Sequence, residues 1–252
     1  KLSSPSNRNS LTMEMREQLG IAILEAESDP SIRSVFLTGE GPTFCSGGDL
    51  NHLKTACDPW TVHRRFRNLT RWLVPLITLD KPVVIGVNGH AVGGGMGLAL
   101  TGDLIVASET SVFMSGFFRL GAIPDIAIMY HLPRLIGMAR AKKFLFNGES
   151  FTAQQAEELG LVSRVVSNEK LYETGLFEAK RLAQGPAEVM GLAKIMMARS
   201  FETSLNDMMT YEGMGQALAM SNPEFHEGLS SLLNRREADF LGANKKITLS
   251  EK

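Results

Sequence analysis

The sequence predicts an α/β core followed by a purely helical C-terminal region, on three observations. Short apolar runs at Val35–Thr38, Val83–Val87, Leu104–Ala107 and Leu161–Val166 have the length and β-branched content of buried strands. Helical patterns separate these runs through the first two thirds, and helices alone fill the last third, over about 169–184, 186–200, 204–220 and 223–234. Glycine clusters stand where strand patterns give way to helix patterns, at Gly39–Gly48 and Gly93–Gly95. The core is expected over 1–190 and the helical region over 191–252. With 252 residues, 44% of them apolar, the chain can bury a substantial core as one large domain or one domain with an appendage.

Each element has a local reason. Lys1–Asn9 is polar and loop-like. Ser10 or Thr12 caps a helix to about Ser28, with Met15, Leu19 and Ile23 at i+4 spacing, and Asp29-Pro30 ends it. After the first strand, Gly39–Gly48 reads as a loop and Asp49–Cys57 as a short helix, on which Asp49 and His52 form a solvated pair. Trp60–Leu79 is a helix with Arg64, Arg65, Arg67 and Arg71 on a face read as solvated. Asn88-Gly89 breaks the strand Val83–Val87, and Met96–Leu100 opens a buried helix. Ser111–Met114 is a short strand, and Pro124-Asp125 starts a helix reaching about Ile136. Residues 141–147 are helical and close on Gly148, while Thr152 and Gln155 form a capping box for a helix ending at Gly160. The late methionines, among them Met196, Met197, Met208 and Met209, read as core filler or subunit contact, with an adaptable acyl pocket as the other reading.

Composition excludes several classes. With 26 basic against 27 acidic residues and a net charge of −1, there is no electrostatic case for nucleic acid or an anionic membrane surface. No apolar run approaches the roughly 18 residues of a membrane span. The five histidines are scattered, so no zinc site is expected. Cys45 and Cys57 form no metal-type pair and suit a reducing compartment. The expected location is cytoplasmic, or mitochondrial or peroxisomal in a eukaryote.

The chemistry lies in the glycines. A strand running through Gly93-Gly94-Gly95 into a helix leaves backbone N–H groups exposed, with no Cβ to block a ligand. Such a site holds a negative charge, or one that develops during a reaction. It lacks the Gly-Lys-Ser/Thr of a P-loop and the spacing of a dinucleotide fingerprint. The plain alternative is a turn that lets helix and strand pack closely. The loop from Gly39 to Leu50 repeats the strand–glycine–helix form. Two such loops can aim two N–H groups at one oxygen as an oxyanion hole, where one donor contributes about 3 kcal/mol to a transition state.

Four ordered motifs carry a resemblance across essentially the whole chain. They are Phe44-Cys45-Ser46-Gly47-Gly48-Asp49-Leu50, then Lys81-Pro82 through Gly95, then Leu120-Gly121-Ala122-Ile123-Pro124 with Leu132-Pro133 to Gly137, and Ala156 through Val162. In these the chain resembles the crotonase (enoyl-CoA hydratase/isomerase) superfamily. The resemblance implies a crotonase-like spiral of ββα turns with a helical C-terminal trimerisation region, trimers often pairing into hexamers. Family members usually carry a strand hairpin ahead of the position that Lys1 matches. The N–H groups of Gly48 and Gly94 would hold the thioester oxygen of an acyl-CoA, with Ser46, Gly47, Gly93 and Phe117 around the substrate. Arg8, Arg235, Arg236 and Phe240 match coenzyme A contacts, with plain surface charge as the other reading of the arginines. No cofactor is implied beyond the coenzyme A of the substrate, and the expected partners are an acyl-CoA and further copies of the chain.

Family hydratases use two glutamates, and the matching positions here are Gly97 and Phe117, neither of which transfers a proton. Asp125 stands where isomerase branches carry their base, such as the dienoyl-CoA isomerases and the ring isomerases of phenylacetyl-CoA pathways. An Asp after Pro at a helix start also reads as an N-cap, which contributes about 1 kcal/mol. Dehalogenases of the family carry Trp where Phe117 stands. Phe113, Phe117, Phe118 and Ile128 either line an acyl pocket or fill the core. The expected activity is enoyl-CoA double-bond isomerisation with Asp125 as proton shuttle. The alternatives are an enoyl-CoA hydratase or acyl-CoA hydrolase, and a catalytically inactive crotonase-fold protein that binds coenzyme A or a partner.

Overall fold

A computed structural model of the chain describes residues 1–49 and 58–243. In order, the elements are α1 (Met13–Ser28), β1 (Val35–Thr38), β2 (Thr43–Cys45), α2 (Pro59–Thr78), β3 (Val83–Val87), β4 (His90–Val92), α3 (Gly94–Ala99), β5 (Leu104–Ser108) and β6 (Val112–Met114). They continue with α4 (Ile128–Ile136), α5 (Met138–Asn147), β7 (Ser150–Thr152), α6 (Ala153–Glu158), β8 (Arg164–Val166), α7 (Leu171–Gln184), α8 (Ala187–Ala198), α9 (Leu205–Ser221) and α10 (Pro223–Leu233). One sheet has the strand order β1-β3-β5-β8 and the other β2-β4-β6-β7. Up to β6, successive strands alternate between the sheets, and helices follow the pairs β1β2, β3β4 and β5β6. That repeat is the expected ββα turn.

The core of the first sheet is β3, whose five residues are all buried. Beside it β5 runs parallel, with Val84 opposite Leu104 and Val87 opposite Ala107. Burial of both its faces leaves no solvated side for polar residues, which is why Val-Val-Ile-Gly-Val lacks a polar alternation. In α1, Met15, Leu19, Ile23 and Ala26 form the buried stripe, and Thr12 Oγ1 accepts the Met15 N–H at 3.2 Å. Of the two expected caps, Thr12 therefore makes the bond to the first turn.

Three strands lie in stretches read as loop or turn: β2, β4 and β7. Each has three residues, too few to show a period, and each exists because a neighbour supplies its ladder. The last strand is shorter than the expected Leu161–Val166, because the N–H groups of Leu161 and Val162 turn back to Ala156 O at 2.8 and 3.2 Å. The capping box of Thr152 and Gln155 is present in both directions. The helix expected over Asp49–Cys57, with His52 and Cys57, lies past Asp49 outside the described residues. None of the described helices is long and apolar enough to cross a membrane.

The chain forms two compact units. One holds 1–28, 36–77 and 83–178, and the other holds 29–35, 78–82 and 179–252. The division falls at Glu178, inside α7, and two short earlier segments belong with the C-terminal helices. Within this second unit Arg33 donates to Ala183 O at 2.8 Å, Gly185 O at 2.7 Å and Glu224 Oε1 at 2.7 Å. The Glu224 side chain is 0% exposed. Removing the cation would leave a buried carboxylate uncompensated. Arg33→Ala is therefore expected to cost about 3–5 kcal/mol of unfolding free energy. Urea denaturation checks this, and a loss below about 1 kcal/mol would mean that the pair is screened as at a surface.

Candidate active site

Three parallel strands deliver the site. Cys45 of β2 lies opposite Ala91 of β4, and Val92 of β4 lies opposite Met114 of β6. Parallel strands end side by side, so the segments leaving them emerge at one edge: Ser46–Gly48, Gly93–Gly94 and Ser115–Phe117. The N-terminal segment holds the first of these. Leu11 N–H donates to Gly47 O at 2.7 Å, and Ser46 N–H donates to Arg8 O at 3.0 Å. Buried Asn9 fixes the same turn, donating through Nδ2 to Glu40 O at 2.9 Å and Thr43 O at 2.8 Å.

The two glycine loops touch. Gly47 has φ +85°, and a Cβ there would lie 2.6 Å from Val92 O and 3.0 Å from Gly94 N. No L side chain fits that position in either conformation or space. Gly94 opens α3 behind the N-cap Gly93 and is buried. The amide of Gly94 thus stands at the end of α3, beside the loop that carries Gly48.

Asp125 meets this place from a strained segment. Its Oδ1 lies 3.6 Å from the point a Cβ on Gly94 would occupy. It does not cap α4. That helix begins at Ile128, its N-cap is Ala127 and no side chain bonds to the cap, so the expected start at Pro124-Asp125 is too early. The reason is that Ile126 (φ 48°) and Ala127 (φ 57°) are both left-handed. A β-branched residue in that region is an outlier, and such strain costs on the order of 1–3 kcal/mol per residue. Packing holds it: Ile126 is 3% exposed and lies over α3, where a Cβ on Gly97 would be 2.4 Å from Ile126 O. Gly97 is therefore the position that lets the Asp125 segment come down onto α3.

A cavity of about 580 Å³ collects these groups. Ser46, Gly48, Gly93, Gly94, Phe117 and Asp125 line it, together with the apolar side chains of Val62, Phe66, Leu69, Leu120 and Ile123. Asp125 is the single carboxylate among its described lining residues. Burial raises the Asp125 carboxyl above its ordinary value, opposed by the positive charges of Arg16 and Arg65. Burial also pushes the Cys45 thiol up to about 12, which leaves it protonated and inert beside the loop.

Other expected residues fall elsewhere. Arg8 is exposed and joins the site through its carbonyl. Arg235, Arg236 and Phe240 belong to the second unit. There Arg236 is engaged by both carboxylate oxygens of Glu227, at 2.5 and 2.9 Å, and Phe240 packs beside Gly228. Of the Phe113, Phe117, Phe118 and Ile128 group, Phe113 and Ile128 are fully buried core, Phe117 lines the cavity and Phe118 is exposed. Arg65, read as part of a solvated face, is half-buried and lines the cavity, as does Arg16 of α1. Arg16 stands next to Met15 in an amphipathic pattern, where a long cation looks like ordinary surface; no sequence signal marks it.

Residues 1–243 match the family described as enoyl-CoA hydratase/isomerase, and the chain belongs to it. The chain is 36% identical over 249 residues to a 1,2-epoxyphenylacetyl-CoA isomerase of Escherichia coli (strain K12), covering 96% of this chain and 93% of that protein. It is 33% identical over 241 residues to a 2,3-dehydroadipyl-CoA hydratase of the same organism, with the same coverages. Among solved structures, an enoyl-CoA hydratase from Polaromonas sp. JS666 superposes with a TM-score of 0.90 at 30% identity, over 94% of this chain and 93% of that one. The fold is thus the crotonase fold, and the family is one of acyl-CoA enzymes and relatives that both isomerise and hydrate.

Two outcomes follow from Gly97 and Asp125. Gly97→Glu is expected to destabilise the fold by about 1–3 kcal/mol, because its Cβ collides with the Ile126 backbone. It should not create crotonyl-CoA hydration; urea denaturation and a hydration assay check both. For Asp125 the folded carboxyl is raised, so the folded state binds the proton more tightly than the unfolded one. The resulting penalty is absent below the unfolded value near 3.8 and grows as pH rises through the folded one. Asp125→Asn should therefore unfold at higher temperature than wild type at pH 8, with the gain vanishing towards pH 4; equal melting temperatures at pH 8 would contradict it.

Proposed function

We propose that the protein moves the double bond of a 3-enoyl-CoA to the 2-position. The N–H groups of Gly48 and Gly94 receive the thioester oxygen, and the Asp125 carboxylate takes a proton from C2. The electron pair left behind spreads over the carbonyl and the former double bond as a dienolate, whose charge the two N–H groups stabilise. Asp125 then returns the proton to C4, which completes the 2-enoyl thioester and regenerates the carboxylate. The carrying observation is the position of Asp125: the one carboxylate among the described lining residues, held 3.6 Å from the Cβ point of Gly94 and free of any capping duty. A raised carboxyl is also a stronger base than an exposed one, as this step needs.

Hydration is less well supported, because Gly97 and Phe117 offer no second proton carrier and the Gly97 site is filled by Ile126. A cyclic acyl group is the second reading. The identity to the E. coli epoxyphenylacetyl-CoA isomerase favours it, and the cavity walls include the rings of Phe66 and Phe117. Of the arginines expected to meet coenzyme A, Arg8 and Arg235 are exposed, whereas Arg236 is engaged by Glu227. We assign no cofactor beyond the coenzyme A of the substrate. Exposed apolar side chains on α9 and α10, such as Leu205, Met214, Leu218 and Leu232, support a homotrimer or a pair of trimers.

Purified protein should convert 3-hexenoyl-CoA to the conjugated thioester, followed by absorbance, and Asp125→Asn should lose about 10²–10⁴-fold in kcat. Full activity in that variant would remove Asp125 from the mechanism. Light scattering should give a mass near three or six chains; a monomer at micromolar concentration would count against the oligomer.

A further inference from the structure

Arg16 and Arg65 are the residues shared by two cavities. The first is the acyl cavity just described, and the second is a space of about 760 Å³ lined by α1, α2 and the N-terminal segment. The two side chains come from different helices, α1 and α2, and lie close enough that Arg65 disfavours the charge on Arg16. The Nε of Arg16 is buried and has no hydrogen-bond partner among the described residues. A buried donor without an acceptor is costly, and two like charges facing one another add to the cost unless an anion joins them. Asp125 alone does not balance them. It is one carboxylate against Arg16, Arg65 and Arg119 in the lining of the acyl cavity, and burial outweighs both Arg16 and Arg65 in setting its protonation. Beyond these two arginines the lining of the second cavity carries Glu14, Glu17 and Asp49 against Arg71 alone, so the balance there is acidic. The boundary therefore attracts an anion arriving from the acyl side and repels it from going further.

We infer that Arg16 and Arg65 form a carboxylate subsite at the end of the acyl cavity, so that the preferred acyl group ends in a carboxylate as a dicarboxylic monothioester. The inference rests on the acyl-CoA reading above. Guanidinium forks suit a carboxylate because two parallel N–H groups meet its two oxygens, and such charge-assisted bonds are the stronger kind.

The test is calorimetric titration of the full chain with saturated, unreactive thioesters in matched pairs: hexanoyl-CoA against adipoyl-CoA, and octanoyl-CoA against suberoyl-CoA. Coenzyme A is common to each pair, so the difference isolates the acyl end. In at least one pair the carboxylate-ended chain is expected to bind wild type about tenfold or more tightly. That preference should fall to about unity in Arg16→Gln and in Arg65→Gln. Equal or tighter binding of both methyl-ended chains to wild type would overturn the inference and leave the acyl-CoA site standing. A preference that survives in both variants would overturn it too, since the carboxylate would then sit elsewhere. Failure of all the thioesters to bind would overturn the acyl-CoA reading and the inference with it. The wild-type comparison needs no variant to fold.

Discussion

Everything in the site depends on two backbones meeting where no side chain fits. The loop after β2 and the loop after β4 approach so closely that a single Cβ on Gly47 would reach both Val92 O and Gly94 N. Parallel pairing brings the strand ends together, and glycine lets the loops close the remaining gap. Amides placed this way are held by the backbone itself, which is the pre-organisation that the proposed stabilisation of a developing charge needs. The N-terminal segment has a share in this, because Leu11, Arg8 and Asn9 fix the first loop by backbone and amide bonds rather than by packing alone. A polar stretch at the start of the sequence is thus part of the scaffold of the site.

The sequence made the long and periodic elements plain and left the short and strained ones hidden. Val83–Val87 and the stripe of Met15, Leu19 and Ile23 were legible because burial on both faces, or on one helical face, leaves a pattern in the residues themselves. β2, β4 and β7 were not, because three residues carry no period and their ladder bonds depend on neighbours far along the chain. The site divides in the same way. Glycines report directly on close approach, so both loops could be placed by residue number. Asp125 could be placed, but its surroundings could not, because Ile126-Ala127 gives no hint of left-handed backbone. Only the packing of Ile126 against α3 imposes that conformation. Arg16 escaped notice and Arg65 was read as surface, because an arginine on a helix reads as solvated until the fold shows what it faces.

Strain and charge are coupled here. Ile126 and Ala127 hold backbone angles that most residues avoid, and the same segment presents a carboxylate to a cavity that disfavours its charge. Both costs fall at one point, next to the amides of the glycine loops. Stability given up locally is a common mark of a site organised for chemistry rather than for the fold. The rest of the molecule offsets it, with the fully buried strand β3 of the first sheet among the compensations.

Asp125, as the one carboxylate among the described lining residues of the cavity, has a stereochemical consequence. With one proton carrier on one side of the acyl chain, removal and return of the proton in the proposed reaction take place from the same face. The transfer is then suprafacial across C2 and C4. A carboxyl sheltered from bulk water exchanges its proton slowly compared with a carboxyl in solution. A hydrogen isotope taken from one carbon is therefore carried to the other within a single turnover, and the face of the acyl chain turned away from Asp125 keeps its hydrogens throughout.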